Sequence, residues 1–242
     1  MGGAAAVLRT RRGLALLALA AALAAYFGAH KALPNLPLWW DIAFLGVLVI
    51  PAVFATVWLA LPLWRARGIA GVGLAFVAVA VLFESLDITA AASFAKLGAA
   101  TFLGWWFLTL FESVSWVALV GLIVPWVDAF SVFRGPTNTI VRHRRGIFDA
   151  LSFGFPVPGQ SSSANLGVPD LVFFALFLAA TVRWHLRPAL SWWLMVASFG
   201  ATIALAVWLN VGGLHGLPAL PLLSLAFFVA NGDVIWRDTH RD

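Results

Sequence analysis

Two aspartates occupy positions where a carboxylate is hard to explain by structure alone. Asp170 lies at the start of a long apolar run, directly after the segment Leu166–Pro169, and Asp128 lies inside an earlier apolar run. A charged group in a segment apolar enough to enter a membrane is costly, and a chain that keeps one there usually uses it. The two aspartates are therefore the candidate catalytic residues.

The placement of Asp128 and Asp170 favours a catalytic pair. They flank the same polar loop, so both are expected near one membrane face, and helices adjacent in sequence usually pack together. Two close carboxyl groups cannot both ionise cheaply, so one keeps a proton while the other acts as a base. Such a pair activates water and protonates a leaving amide nitrogen, which is peptide hydrolysis without a metal or a covalent intermediate. The alternative is that each aspartate separately binds a backbone group or an arginine.

The other eight of the ten acidic residues have simpler explanations. Asp41, Glu84 and Asp87 are expected at helix ends within reach of water, and Glu112 at a turn between two helices. The five histidines are scattered in loops and cysteine is absent, which predicts no metal site. We also expect no cofactor.

Composition places the chain in a membrane. Hydrophobic residues make up 62% of it, charged residues only 10%, and the mean hydropathy is +0.97. Apolar runs recur along the whole length between short polar breaks, which is typical of a multi-pass helical membrane protein. The basic residues sit in the short loops, as topology signals do, so the lipid bilayer is an expected partner and nucleic acid is not.

The apolar runs predict an all-α transmembrane bundle of about eight spans, or nine if one crossing is missed. Pro51 predicts a kink in the second span. We divide the chain into N-terminal transmembrane helices, 1–111, and a catalytic core, 112–242, which contains a polar loop at 134–165. The end of that loop, PVPGQSSSAN, predicts a mobile linker. The predicted spans are about 14–29, 40–63, 69–83, 92–110, 114–133, 168–181, 190–209 and 217–231.

Charge does not fix the orientation of these spans. With eight crossings, nine basic residues fall on the N-terminal side and six on the other, which favours a cytoplasmic N-terminus. The densest basic cluster, however, lies in the loop at 134–165 on the other side. The orientation is left open.

The residues around the aspartates form motifs that occur together in one known family. The first is WVDAFSVFRGPTNTIV around Asp128, preceded by Glu112 and Trp116; the second is LGVPDLVFFALF around Asp170; the third is Pro218-Ala219-Leu220 at the start of the last span. In this order they resemble the Tyr-Asp, Gly-x-Gly-Asp and Pro-Ala-Leu motifs of the presenilin and signal peptide peptidase family. The resemblance extends over about 112–231, whereas earlier spans match only in hydrophobicity. The family has nine crossings.

The resemblance implies an intramembrane aspartyl protease with Asp128 and Asp170 as its catalytic pair. Its substrates would be transmembrane helices of single-span membrane proteins or signal peptide remnants, cut without a cofactor. Partner subunits remain unknown, and we expect a multi-pass protein of a bacterial or archaeal cell membrane. The residues that the resemblance implies for substrate binding are Gly167, Val168, Pro169, Pro218, Ala219 and Leu220.

Two departures from the family motifs keep other functions open. Val127 stands where the family has tyrosine, and Pro169 replaces the second glycine of Gly-x-Gly-Asp. Proline fixes φ, lacks an N–H and restricts the residue before it, although it suits the first turn of a helix. One alternative is a catalytically inactive presenilin-like protein that binds transmembrane helices. The other is a proton- or cation-coupled transporter that uses Asp128 and Asp170 as ion sites.

Overall fold

The computed structural model describes residues 11–134, 151–209 and 217–239. Within these ranges the chain forms eight helices and one two-stranded antiparallel sheet, so the predicted all-α class is confirmed apart from that sheet. The elements are α1 (Arg11–Ala29), α2 (Leu38–Leu63), α3 (Ile69–Ser85), α4 (Thr89–Leu108), α5 (Val114–Arg134), β1 (Ser152–Pro156), β2 (Ser163–Gly167), α6 (Val168–Arg183), α7 (Pro188–Trp208) and α8 (Leu220–Thr239).

Five of the described helices are long and apolar enough to cross a membrane: α1, α2, α5, α7 and α8. The helix α3 is apolar but shorter, and α6 has only 16 residues. Large apolar side chains such as Val47, Trp126 and Trp208 are more than two-thirds exposed on the surface of the bundle. Such a surface is stable in lipid and costly in water, which supports an integral membrane protein.

The helix α6 is the centre of the bundle. Every side chain from Phe174 to Ala180 is completely buried, and α4, α5, α7 and α8 all contact this helix. A helix that is apolar on all sides belongs in such a position. Since Asp170 lies in its first turn, the central helix carries one of the two candidate residues.

Glycines allow close packing between helices at two places. A Cβ atom on Gly104 of α4 would lie 2.5 Å from the carbonyl oxygen of Val172 in α6, and Gly46 of α2 meets Gly200 of α7 backbone to backbone. Small residues at such crossings let two helix backbones approach each other within a membrane. The position of α6 therefore depends on the absence of a side chain at 104.

The irregularity predicted at Pro51 is a π-helical turn. Leu45–Val49 widens into this turn immediately before the regular helix resumes at Ile50. Proline has no N–H to bond the carbonyl four residues earlier, and its ring crowds that carbonyl, so the preceding turn must open.

The end of the loop at 134–165 is a β-hairpin, so the prediction of a mobile linker for PVPGQSSSAN at 156–165 is wrong. The strands β1 and β2 pair antiparallel, with Ser152 opposite Gly167 and Pro156 opposite Ser163. Phe153 and Phe155 of β1 are buried, and aromatic contacts join Phe153 to the bundle. This burial fixes the hairpin, whereas the basic part of the loop, 135–150, lies outside the described residues.

Candidate functional site

Asp170 is a buried carboxylate fixed at the start of α6. Only 9% of the residue is exposed, and its Oδ2 atom accepts a hydrogen bond from the Gly167 N–H at 3.1 Å. Gly167 is the residue that ends β2 and precedes α6, so the contact resembles one half of a capping box. The hairpin and the helix start together determine where this carboxylate lies.

Asp128 is a half-buried residue of α5 that contacts the start of α8. Its Oδ2 atom accepts a hydrogen bond of 3.3 Å from the Leu220 N–H. Leu220 begins α8, where N–H groups have no partner within the helix, and Pro221 has none to offer. Ala219 and Leu220 are buried, and Pro218 is half-buried. The Pro-Ala-Leu segment therefore places a backbone N–H donor, that of Leu220, against Asp128.

The structure brings the three predicted segments together. Asp128 and Asp170 interact electrostatically, and Leu220 joins Asp128. The two carboxyl groups thus lie within range of each other's charge, and their pairing around a shared proton stays a prediction. Each aspartate also has its own backbone donor, as the alternative interpretation required, so the two descriptions are compatible. Among the described residues, the Gly167 N–H binds Oδ2 of Asp170 and the Leu220 N–H binds Oδ2 of Asp128. The Oδ1 atom of each carboxyl group is then available to carry a proton or to bind water.

Pro169 is compatible with the position of Asp170. It lies in the first turn of α6, where a missing N–H costs no hydrogen bond, and it is exposed. Val168 donates its N–H to the carbonyl of Leu151, extending the hairpin by one pair. Val127, where the family has tyrosine, is 60% exposed on the surface of α5.

Lys96 supports the site from the N-terminal half of the chain, which sequence reasoning did not identify. This buried side chain of α4 donates to the carbonyl of Ser152 at 3.3 Å and pairs with Glu84 of α3 at 3.0 Å. Ser152 lies opposite Gly167 in the hairpin. Glu84 was expected only as a helix-end acid in water, but it is the partner of a buried cation that holds β1.

Lys96→Met is expected to lower the free energy of unfolding by about 1–3 kcal/mol, because a charge-assisted hydrogen bond and an ion pair are lost together. Hydrogen exchange of the hairpin amides should accelerate in parallel. Lys31→Met is the matched control, since Lys31 is exposed between α1 and α2. Equal effects of the two substitutions in thermal unfolding and hydrogen exchange would show that Lys96 does not hold the hairpin.

The tip of the hairpin is fastened to α1 and α2. Gln160 donates to Oδ2 of Asp41 at 3.0 Å, and the Tyr26 hydroxyl donates to the carbonyl of Pro156 at 2.5 Å. The Gly159 N–H donates to His30 O at 2.7 Å. Asp41 was predicted to lie within reach of water, but only 3% of it is exposed, because the hairpin covers it.

The described residues contain no group of three histidine, cysteine, aspartate or glutamate side chains arranged to hold a metal ion. The chemistry available at the site is that of two neighbouring carboxyl groups. One protonated and one ionised carboxyl group can serve as general acid and general base toward a water molecule and an amide.

Comparison of the chain with protein-family models, with curated proteins and with solved structures yields no match.

Proposed function

We propose that this protein is an intramembrane aspartyl protease of the presenilin and signal peptide peptidase type. The single observation that supports this function is that Asp128 of α5 and Asp170 of α6 lie within range of each other's charge, while Asp128 accepts a hydrogen bond from the Leu220 N–H of α8. One carboxyl group activates a water molecule as general base, and the other protonates the leaving nitrogen. The substrates are transmembrane helices of single-span proteins or signal peptide remnants, unwound locally at the cut.

The outer edge of β2 provides a binding surface for an unwound substrate. Val168 donates to the Leu151 carbonyl, and in an antiparallel ladder such bonded pairs alternate with non-bonded ones. Asn165 and Gly167 therefore direct their backbone groups away from β1, where the Gly167 N–H already binds Asp170 and the Asn165 N–H is the donor that faces a substrate strand. An extended peptide that pairs with this edge runs directly toward Asp170, three residues beyond Gly167. The Pro218–Leu220 segment bounds the site on the other side.

Asn165→Pro is expected to lower kcat/KM for a transmembrane peptide about 5- to 10-fold, mainly through KM, because one backbone donor to the substrate strand is lost. The hairpin should stay folded, since this N–H points away from β1. Cleavage assays and hydrogen exchange of the hairpin measure the two effects.

Two controls separate substrate pairing from damage to the hairpin. Asn165→Ala keeps the backbone N–H and should leave kcat/KM close to wild type. Ala164→Pro removes a donor that faces β1, so it should loosen the hairpin itself. Unchanged kinetics in Asn165→Pro would exclude substrate binding along this edge.

The contacts of the hairpin support eight crossings. The tip of the hairpin contacts the connection between α1 and α2, and its first strand contacts the region where α3 ends and α4 begins. The hairpin itself belongs to the connection that follows α5. The connections after α1, α3 and α5 thus share one face. At the opposite face, Arg183 at the end of α6 donates to the carbonyl of Leu108 at the end of α4. Alternation of this kind is expected of a multi-pass protein in which each helix crosses once.

Incubation of the purified protein with a panel of single-span transmembrane peptides tests the function, with products identified by mass spectrometry. Cleavage inside the membrane segment is the expected result. Binding of the peptides without any product would favour the inactive presenilin-like protein. Ion-driven uptake into liposomes, without cleavage, would favour the transporter.

A further inference from the structure

A crevice opens at the membrane face opposite the hairpin, where α1 and α7 begin and α2 and α6 end. Its volume is about 400 Å³, within the range of small-ligand sites. Trp58, Leu61, Val182 and Pro188 give it an apolar wall, and Arg12 is the charged side chain among its lining residues. The crevice is therefore apolar inside and cationic at its rim.

Two further arginines stand beside this crevice with their guanidinium groups supported by aromatic rings. Arg65 lies over Trp64, a lining residue, with 4.5 Å between Cζ and the ring centroid. Arg183 lies over Trp184 at 4.6 Å and donates to the Leu108 carbonyl at 2.7 Å. Arg65 and Arg183 are close enough to repel each other. Stacking fixes the plane of a guanidinium and leaves its edge free to donate hydrogen bonds.

The described part of the chain supplies no carboxylate to these arginines. None of its ion pairs involves Arg12, Arg65 or Arg183. On the same face, Asp233 binds Arg187 through two oxygens and is also bridged to a second arginine at the end of α8. Arginines held close together at a membrane surface without an internal anion are well placed to bind an external one.

We infer that this crevice binds one anionic phospholipid. Arg12 and Arg65 hold the phosphate, and an acyl chain lies against Trp58 and Val182. Guanidinium groups match phosphate geometry, and tryptophan suits the headgroup zone of the bilayer. The apolar wall selects a lipid over a soluble anion, because only the lipid has a chain to fill it.

Native mass spectrometry of the purified protein in neutral detergent tests this site, with phosphatidylglycerol and phosphatidylcholine as probes. Phosphatidylglycerol should bind in one copy, at least about tenfold more tightly than phosphatidylcholine. The double substitution Arg12→Gln with Arg65→Gln should weaken this binding about tenfold or more. Val182→Phe should weaken it without changing the charge, because the ring fills the crevice.

Three results would overturn the assignment. One is a loss of binding in Arg237→Gln as large as in Arg12→Gln or Arg65→Gln alone, since each of these removes one positive charge from the same face but Arg237 lies away from the crevice. Another is an unchanged affinity in Val182→Phe. The third is displacement of the lipid by millimolar inorganic phosphate, which would indicate a site for the anion alone. The measurement does not involve proteolysis, so its outcome is independent of the proposed protease function.

Discussion

Asp170→Asn should lower kcat/KM for cleavage of a transmembrane peptide by about a thousandfold or more, and Asp128→Asn should do the same. Asparagine keeps the size of the side chain and its ability to accept the backbone hydrogen bond, so the fold should survive. It cannot exchange a proton at neutral pH. Because the two residues act as one unit, the double variant should lose little more than either single variant.

Asp41→Asn is the matched control for the two catalytic variants. Asp41 is also a buried carboxylate near the same face, but its partner is Gln160 in the hairpin tip, and asparagine can still accept that hydrogen bond. Cleavage should therefore remain close to wild type. Retention of cleavage by Asp170→Asn or by Asp128→Asn would rule out the shared-proton mechanism.

Gly104→Ala should lower the free energy of unfolding by about 2–3 kcal/mol, as for an overpacked core. The new Cβ would meet the Val172 carbonyl oxygen at 2.5 Å, and a backbone atom cannot rotate away as a side chain can. Helix α6 must then move, and Asp170 with it. A shift of about 1 Å in a reacting group can cost about a hundredfold in rate, so cleavage should fall well beyond the loss of folded protein.

Gly71→Ala gives the comparison for this effect. Gly71 lies within α3, and a Cβ atom there meets nothing within 4 Å. The substitution makes the same chemical change in a helix and should leave both stability and cleavage unchanged or slightly improved. If Gly104→Ala behaved like Gly71→Ala in denaturation and cleavage assays, close packing of α4 on α6 would not position Asp170.

The eight described helices, and the contact between the two helices that carry Asp128 and Asp170, were predictable from sequence. Membrane-spanning helices are recognisable in a sequence as long apolar runs. A carboxylate within or beside such a run is therefore easy to identify. The Pro-Ala-Leu segment was expected near the aspartates only through its resemblance to a known family. The structure adds the atom that makes the contact, the N–H of Leu220.

The hairpin was missed because its composition resembles that of a linker. Each strand has only five residues, and the glycine, serine and proline around them favour turns. The alternation of Phe153 and Phe155 about Gly154 was the available signal, since period-two burial is typical of a strand. Five residues are too few for that signal to outweigh the surrounding turn residues.

The supports of the hairpin depend on contacts between distant parts of the chain. Asp41 meets Gln160 across 119 residues, and Lys96 meets Ser152 across 56. A local sequence pattern contains no information on such distant partners. Asp41 was therefore assigned to a helix end within reach of water, and Lys96 was assigned no role at the site. The sequence also does not reveal the packing role of Gly104, because a glycine in a helix reads the same whether or not another backbone lies against it.

Distance-dependent cross-linking between positions 128 and 170 tests the central claim most directly. The chain has no cysteine, so Asp128→Cys combined with Asp170→Cys introduces the only two thiols. A short bifunctional thiol reagent should join them within one molecule in membranes, with the product identified by mass spectrometry. The pair Asp41→Cys with Asp170→Cys is the control for the reactivity of the thiol at position 170. Efficient linkage of the first pair is the predicted result; modification of both thiols without any linkage would contradict the juxtaposition.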